Sequence, residues 1–166
     1  MSTTNNNGNT PLYQDQRIYD RDYCKQLFDS RFDKQVRLPN DTAIREAENL
    51  LVVTFGEEFR WILSSYGSLA FEGFETLGLR NNHVERSELV RYTIALRAHT
   101  NMLYGLVVFA AQNDAFVSCC DTNDQVYLYS RWNDSLIPLY TSVATYIAGE
   151  GLLFEGWSLE FPENEE

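Results

Sequence analysis

The stretch FVSCCDTNDQVYLY, from Phe116 to Tyr129, places a cluster of turn-forming residues between two runs of β-forming residues. Asp and Asn side chains bond to their own backbone and tolerate left-handed conformations, so the DTND segment favours a tight turn. The flanking runs FVSCC and QVYLY are rich in aromatic and β-branched residues, as strands are. The stretch therefore predicts a β-hairpin.

The two adjacent cysteines in this stretch raise the alternative of a metal or redox site. Neighbouring residues of a strand point to opposite faces, so Cys119 and Cys120 are not expected to share a metal. Their spacing also differs from a CxxC pair or a zinc knuckle, and a calcium loop needs more acids and a glycine at the bend. We therefore predict no metal and no cofactor.

Hydrophobic periodicity predicts helices and strands on both sides of the hairpin. The predicted helices cover Ile18–Phe32, the segment from an Asn40 or Asp41 cap to Leu51, the segment from Gly56 to Gly67, Ser87–His99, and a final helix capped by Thr141 or Ser142. The predicted strands are Gly73–Leu79, the apolar Leu106–Asn113 and the two arms of the hairpin.

This order of elements predicts an α+β fold. We expect a single domain with a mainly antiparallel or mixed sheet of about four to six strands covered by helices. The strand Leu106–Asn113 is too apolar for a one-sided surface strand, so we expect it at the centre of this sheet. Residues 1–16 are rich in Asn and Thr and predict a flexible N-terminal tail. The predicted domain covers 17–150, and 151–166 form an acidic C-terminal extension.

The charge is unevenly distributed along the chain. The formal net charge is −11, twelve of the 13 basic residues lie at or before Arg97, and Arg131 is the only basic residue after it. Such a balance repels phosphates, so we expect a basic protein partner and no direct binding of nucleic acid. A solvated, solubilising surface is the other interpretation of the same acidity.

Motifs for catalysis, secretion and membrane insertion are not recognisable in the sequence. His83 and His99 belong to no catalytic triad pattern, and no phosphate-binding glycine motif occurs. The N-terminus has no signal-peptide pattern, and no apolar run approaches the length of a membrane helix. Three cysteines, an odd number, favour a reducing compartment. We therefore predict a cytoplasmic protein that is not an enzyme.

Several phrases match the motifs of a known family. Glu57–Gly67 (EEFRWILSSYG) fits a helix phrase ending in Tyr-Gly, and Leu77–Leu79 (LGL) fits the strand phrase after it. Val107–Trp132 fits the family's apolar strand and hairpin, with Asp121 at the position of the family's hairpin Asp. Ser142–Ile147 fits its closing helix. Over about residues 41–150 the chain resembles the SMI1/KNR4 superfamily, also called SUKH, although Gly56-Glu57 replaces the usual Leu-Pro pair.

The resemblance implies an α+β domain without a shared catalytic residue. For bacterial members it implies an immunity protein that neutralises a cognate polymorphic toxin, often a nuclease. For fungal relatives it implies a regulatory scaffold in cell-wall signalling. An enzyme of unknown reaction is the third class of hypothesis, and the oligomeric state stays open.

On the immunity hypothesis, the partner is a cognate toxin domain of basic, nuclease type. Turns and strand ends expose acids, so we predict that the partner-binding residues are Glu72, Glu75, Asp121, Asp124 and Asp134. They are expected to form parts of one negative surface.

Overall fold

The structure is a computed structural model that describes residues 19–32, 37–111, 115–140 and 142–160. Within these residues the α-helices are α1 (Arg21–Arg31), α2 (Asp41–Leu51), α3 (Glu57–Tyr66), α4 (Glu88–Arg97) and α5 (Val143–Glu160), with a 3-10 helix at Val84–Arg86. The strands are β1 (Ala70–Phe71), β2 (Phe74–Glu75), β3 (Val107–Ala111), β4 (Phe116–Cys120), β5 (Val126–Ser130) and β6 (Ser135–Tyr140). The predicted tail, 1–16, lies outside the described residues.

The main sheet is an antiparallel meander in the order β3-β4-β5-β6, and β1 and β2 form a separate two-stranded hairpin. The predicted α+β fold is thus confirmed. Helices cover both faces of the sheet: Leu96 of α4 and Tyr129 of β5 line one cavity on one face, while the Phe109 ring lies 5.9 Å from the Tyr146 ring of α5 on the other. The central position expected for the apolar strand is wrong, because β3 lies at the edge of this sheet. Its free edge is covered by the bridge from Thr76 to Ala110 and by α4, whose Thr93 hydroxyl accepts the Val108 amide at 3.0 Å, and this enclosure accounts for its almost continuously apolar sequence.

The hairpin at 116–129 is confirmed. Strands β4 and β5 pair from Phe116↔Ser130 to Cys120↔Val126. In the turn, one carboxylate oxygen of Asp121 accepts the backbone amides of Asn123 and Gln125 at 2.9 and 3.0 Å. Both cysteines of β4 are buried, which agrees with helices on the two sides of the sheet.

Two predicted elements differ in the structure. The strand expected at Gly73–Leu79 is shorter than predicted: only Phe74–Glu75 forms β2, which the turn at Gly73, with φ of 88°, pairs with the unpredicted β1. Beyond β2 the chain meets the main sheet at one point, where Thr76 bridges Ala110 of β3 and the Leu77 amide donates to the Phe109 carbonyl oxygen at 2.8 Å. Strand β6 was not predicted because Pro138 interrupts its pattern, and an edge strand tolerates the missing N–H.

Helix α5 crosses the predicted boundary between the domain and the C-terminal extension. The helix continues through its glycines. Gly151 has a packing role there, since a Cβ at this position would lie 2.4 Å from the Phe71 ring. The helix is described as far as Glu160, and residues 161–166 lie outside the described part. The extension as a separate unit stays a prediction.

The guanidinium of Arg97 connects three segments next to the sheet. It donates to the carbonyl oxygens of Leu51, Leu103 and Leu106 at 2.6, 3.2 and 2.7 Å. These bonds satisfy the C-terminal end of α2 and the loop before β3, and burial lowers the pKa of Arg97. The arginine therefore fixes α2 and α4 to the start of the sheet.

A buried polar pair joins the sheet to α5, and it gives a first test of the fold. The hydroxyls of Ser118 and Tyr146 lie 2.7 Å apart, and both side chains are fully buried. We expect Tyr146→Phe and Ser118→Ala each to lower the free energy of unfolding by about 1 kcal/mol, since each removes one hydroxyl of a buried pair. The double variant should cost less than the sum, because it removes both polar groups together. Additive losses in urea unfolding would show that the pair is not coupled.

Candidate partner-binding surface

The carboxylate of Asp124 caps helix α3 from the β4–β5 turn. Its two oxygens accept the backbone amides of Glu58 and Phe59, each at 3.0 Å. These amides are among the free donors at the start of a helix, which a carboxylate satisfies well. The turn supplies this group because Asp124 has φ of 63°, a left-handed conformation that Asp tolerates. A residue predicted as a partner contact thus also has a role inside the fold.

Gly56 is the residue that leaves room for this carboxylate. It is the N-cap residue of α3 and has no side chain to cap the helix itself. A Cβ placed on Gly56 would lie 2.4 to 2.5 Å from the carboxyl atoms of Asp124, closer than real Cβ contacts. Helix α3 is therefore capped by an acid from another element instead of by its own N-cap side chain.

A glutamate in the first turn of α3 bonds in turn to the start of α5. One carboxylate oxygen of Glu58 accepts the Ser142 hydroxyl and the Ala144 amide, both at 2.8 Å. The Ser142 hydroxyl oxygen in turn accepts the Thr145 amide at 3.0 Å, as expected for a capping residue. The β4–β5 turn, α3 and α5 are therefore joined at one place by two carboxylates.

We call the group formed by Glu57, Glu58, Asp121 and Asp124 the acidic corner. Glu57 is exposed and the other three are partly buried. Desolvation raises the pKa of Asp124, the nearby Glu58 and Asp121 charges raise it further, and the two amide bonds act in the opposite direction. Within the described part of the chain, none of the four carboxylates forms an ion pair. Among the described residues, backbone amides of the turn and of helix N-termini, together with hydroxyls, donate to these carboxylates.

The other predicted partner-binding acids lie elsewhere. Consecutive turns of an antiparallel meander lie at opposite ends of the strand between them, so Asp134, after β5, is separated from Asp121 and Asp124 by the length of β5. Glu72 and Glu75 are exposed in the β1–β2 hairpin. The five acids are thus divided between regions, and their binding role stays a prediction.

Asp134 is also held by internal hydrogen bonds. One of its carboxylate oxygens accepts the hydroxyls of Tyr129 and Thr100, each at 2.7 Å. These bonds lower the pKa of Asp134, with the Tyr129 bond contributing most. The carboxylate fixes the β5–β6 turn against the segment after α4.

Sequence reasoning missed the contribution of Glu57 and Glu58 to this surface. It placed both in the first turn of α3, which the structure confirms, but interpreted them only as charges suited to the helix dipole. The signal available was Gly56 before two acids, a helix start without its own capping side chain. Only the fold shows that Asp121 and Asp124 lie beside them.

A concave region lies on the opposite side of the sheet from α5. Two adjoining cavities of about 420 and 370 Å³ separate α4 from the β5–β6 turn. They share Leu96, His99 and Arg131 in their linings and so form one groove.

The described residues form neither a metal-binding cluster nor a membrane-spanning helix. No group of three or more His, Cys, Asp or Glu side chains in the described part of the chain is placed to hold a metal ion. No helix among these residues is both long and apolar enough to span a membrane.

The cysteines are expected to be unreactive in the folded protein. Desolvation, with help from the Glu58 and Asp20 charges, raises the pKa of Cys24 to about 11, and burial raises the pKa of Cys119 and Cys120. Since the thiolate is the nucleophile, a thiol reagent at pH 8 should modify all three only after guanidinium unfolding. Rapid colour development from any of them in the native protein would contradict the buried positions.

A comparison with protein-family models identifies the family of this chain. Residues 21–150 match the family model SUKH_5, described as SMI1-KNR4 cell-wall. The chain belongs to the SMI1/KNR4 superfamily. The match spans α1 through the first part of α5, and so contains the whole acidic corner of this SMI1/KNR4 protein and the groove beside α4. A comparison with curated proteins gives no match.

Proposed function

We propose that this SMI1/KNR4 protein is an immunity protein that binds and neutralises a cognate toxin domain of basic, nuclease type in the cytoplasm. The observation that carries the proposal is family membership over 21–150 together with an acidic corner that has no ion-pair partner within the described residues. The proposed mechanism is occlusion: the inhibitor covers the toxin's active face and performs no chemistry.

Electrostatics favours this class of partner. A nuclease binds phosphates with basic side chains, so a surface of carboxylates is complementary to it and also accelerates encounter. The net charge of −11 gives the same sign at long range. A nucleic acid would be repelled by the same field.

The acidic corner is also preorganised for binding. Asp121 is held by its own turn, Asp124 by the α3 amides, and Glu58 by the α5 cap. Carboxylates fixed before association lose little conformational freedom when a partner binds. We place the main partner contact at the corner, with Glu72 and Glu75 as further candidates on the β1–β2 hairpin.

A regulatory scaffold is the second candidate function. The words SMI1-KNR4 cell-wall in the family description favour it. A scaffold would bind peptide or protein partners without protecting cells from a toxin, so protection separates the two functions.

The experiment that tests the immunity function has two stages. Affinity purification from the native host with mass spectrometry identifies the bound proteins, and a toxin-like domain encoded beside this gene is the expected partner. Co-expression of that domain with this protein should then restore growth of cells that the domain alone kills. A purified complex that leaves the toxin fully active would overturn the immunity function, and absence of any toxin-like partner would favour the scaffold.

A further inference from the structure

A small cavity lies between the segment before α2 and the loop that joins β2 to the 3-10 helix. It has a volume of about 250 Å³, and the described residues that line it are Arg37, Leu79, Arg80, Asn81 and Asn82. Two of these residues carry guanidinium groups and two carry amides, and the described lining contains no carboxylate. The cavity is therefore locally basic, although the net charge of the chain is −11.

The side chain of Asn81 joins the two walls of this cavity. Its carbonyl oxygen accepts the Asn40 amide at 2.8 Å, and its NH₂ group donates to the Leu38 carbonyl oxygen at 2.9 Å. The loop wall is fixed further, since the Arg80 amide donates to the hydroxyl oxygen of the fully buried Ser87 at 2.7 Å. The backbone on both sides of the cavity is therefore held in place before any ligand binds.

The guanidinium groups of Arg37 and Arg80 are not neutralised by the fold. Both side chains are exposed, and neither forms an ion pair with another residue in the described part of the chain. The acids nearest to them in sequence are Asp41 and Glu85, and neither lines the cavity. Glu85 instead lies 3.6 Å from the His83 imidazole. Both positive charges of the cavity are therefore available to a ligand.

The polar side chains of the lining are mostly hydrogen-bond donors. A guanidinium group donates and never accepts, and the exposed Asn82 amide adds an NH₂ group. The carbonyl oxygen of Asn81 is already engaged with the Asn40 amide. A ligand that accepts hydrogen bonds and carries negative charge is complementary to such a lining, whereas a cation is not.

We propose that this cavity binds a single phosphate group, either free phosphate or the phosphate of a small monoester, between Arg37 and Arg80. Guanidinium groups bind phosphate through paired hydrogen bonds, and two of them on different walls can contact different oxygens of one tetrahedral anion. A planar carboxylate is satisfied by one guanidinium, so a pair favours phosphate, whose esters carry a charge of about −1.5 to −2 at pH 7.

The size of the cavity and the charge of the chain favour a small anion over a long one. The cavity of about 250 Å³ is smaller than the roughly 300–1,000 Å³ of pockets for drug-sized ligands. Salt at 0.1 M screens charges over about 10 Å, so a small anion interacts mainly with the two arginines. A nucleic acid strand would extend over the acidic remainder of the surface and be repelled. The site goes beyond the proposed function and does not depend on a toxin partner.

An NMR titration of the ¹⁵N-labelled full chain with sodium phosphate at constant ionic strength tests the proposal. The side-chain N–H signals of Arg37, Arg80 and Asn82 should shift and saturate, with a Kd of about 1 mM or lower. Arg37→Ala and Arg80→Ala should each weaken binding about tenfold, because each variant removes charge-assisted hydrogen bonds. Arg80→Lys should retain part of the binding, since it keeps the charge without the paired donors.

Titrations with glycerol phosphate and with acetate identify the kind of anion. Tighter binding of glycerol phosphate than of inorganic phosphate identifies a monoester as the ligand, and the reverse order identifies free phosphate; both results support the site. Acetate that binds as tightly as phosphate would overturn the proposal, because the cavity would then recognise a carboxylate.

The matched control removes two arginines elsewhere on the surface. Arg45→Ala/Arg91→Ala has the same net charge as Arg37→Ala/Arg80→Ala, and Arg45 and Arg91 are exposed without lining the cavity. This control should bind phosphate like the wild type. The proposal is overturned if the shifts do not saturate, or if the control loses binding as the cavity variant does.

Discussion

Gly56→Ala is expected to lower the free energy of unfolding by about 2–3 kcal/mol, a large effect for one methyl group on a helix N-cap. The backbone of Gly56 has φ of −64° and ψ of 160°, which alanine adopts without strain. The cost arises instead because the new Cβ would occupy the space of the Asp124 carboxylate, 2.4 Å away. The carboxylate must move, and the amides of Glu58 and Phe59 lose their acceptors.

Asp124→Ala is expected to cost about 2 kcal/mol, because it removes the same two bonds without the steric conflict. The decisive result is the double variant Gly56→Ala/Asp124→Ala. Once the carboxylate is absent, the methyl group at position 56 has room, so the double variant should be about as stable as Asp124→Ala alone. Urea unfolding measures the three values, and a change of 1 kcal/mol corresponds to roughly 2–4 °C in Tm for a chain of this size.

Asn123→Ala is the matched control in the same turn, since its side chain is exposed. It should stay within about 0.5 kcal/mol of the wild type. If Gly56→Ala were as stable as the wild type, or if the two single losses simply added, the turn would not hold α3 through this carboxylate.

Neutralising the acidic corner is expected to slow association with the toxin by about tenfold at low ionic strength, since steering depends on local charge. The variant Glu57→Gln/Asp121→Asn removes two charges without disturbing the cap at Asp124. Stopped-flow or surface-plasmon measurements with the catalytically inactivated toxin domain give the rate constants. The difference from the wild type should shrink as salt rises, because the screening length falls below about 10 Å above 0.1 M.

Asp121→Asn is suited to this test because the turn can keep its hydrogen bonds. One carboxylate oxygen of Asp121 accepts both turn amides, and the other accepts the Tyr127 hydroxyl at 3.2 Å. An amide oxygen can take the first role, and its NH₂ group can donate to the Tyr127 oxygen. An unchanged Tm would therefore show that the effect on association is electrostatic.

Two variants with the same charge change separate the corner from the rest of the surface. Glu72→Gln/Glu75→Gln tests the β1–β2 hairpin as a contact, and Glu46→Gln/Glu85→Gln is the control on elements outside both regions. The control should change the association rate less than twofold. Equal effects of all three variants would mean that the overall charge matters and the corner has no special role. Salt-insensitive binding that none of them weakens would place the interface on an apolar surface.

Elements whose signals are local could be predicted from the amino-acid sequence alone. The Asn40 side chain caps α2 by accepting the Ala43 amide at 2.8 Å, and Gly67 ends α3 with φ of 71°. The DTND turn and the apolar run of β3 were equally predictable, because side-chain-to-backbone bonds and hydrophobic periodicity involve neighbours in the chain. Even here one detail changed: Ser87 precedes α4 as expected, but its hydroxyl oxygen accepts the Arg80 amide and does not cap the helix.

Contacts between groups that are distant in sequence could not be predicted, because they form only when the chain packs. Asp124 lies 66 residues from the Glu58 amide that it caps, and Glu58 lies 86 residues from the Ala144 amide. Arg97 reaches the Leu51 carbonyl over 46 residues. Hydrophobic periodicity does not predict such pairs. A carboxylate in a turn and free amides at a helix start are both common features, and neither indicates the other as its partner. They become a single acidic corner only because the sheet and helices, packed to bury apolar surface, bring unsatisfied donors and acceptors within hydrogen-bonding distance.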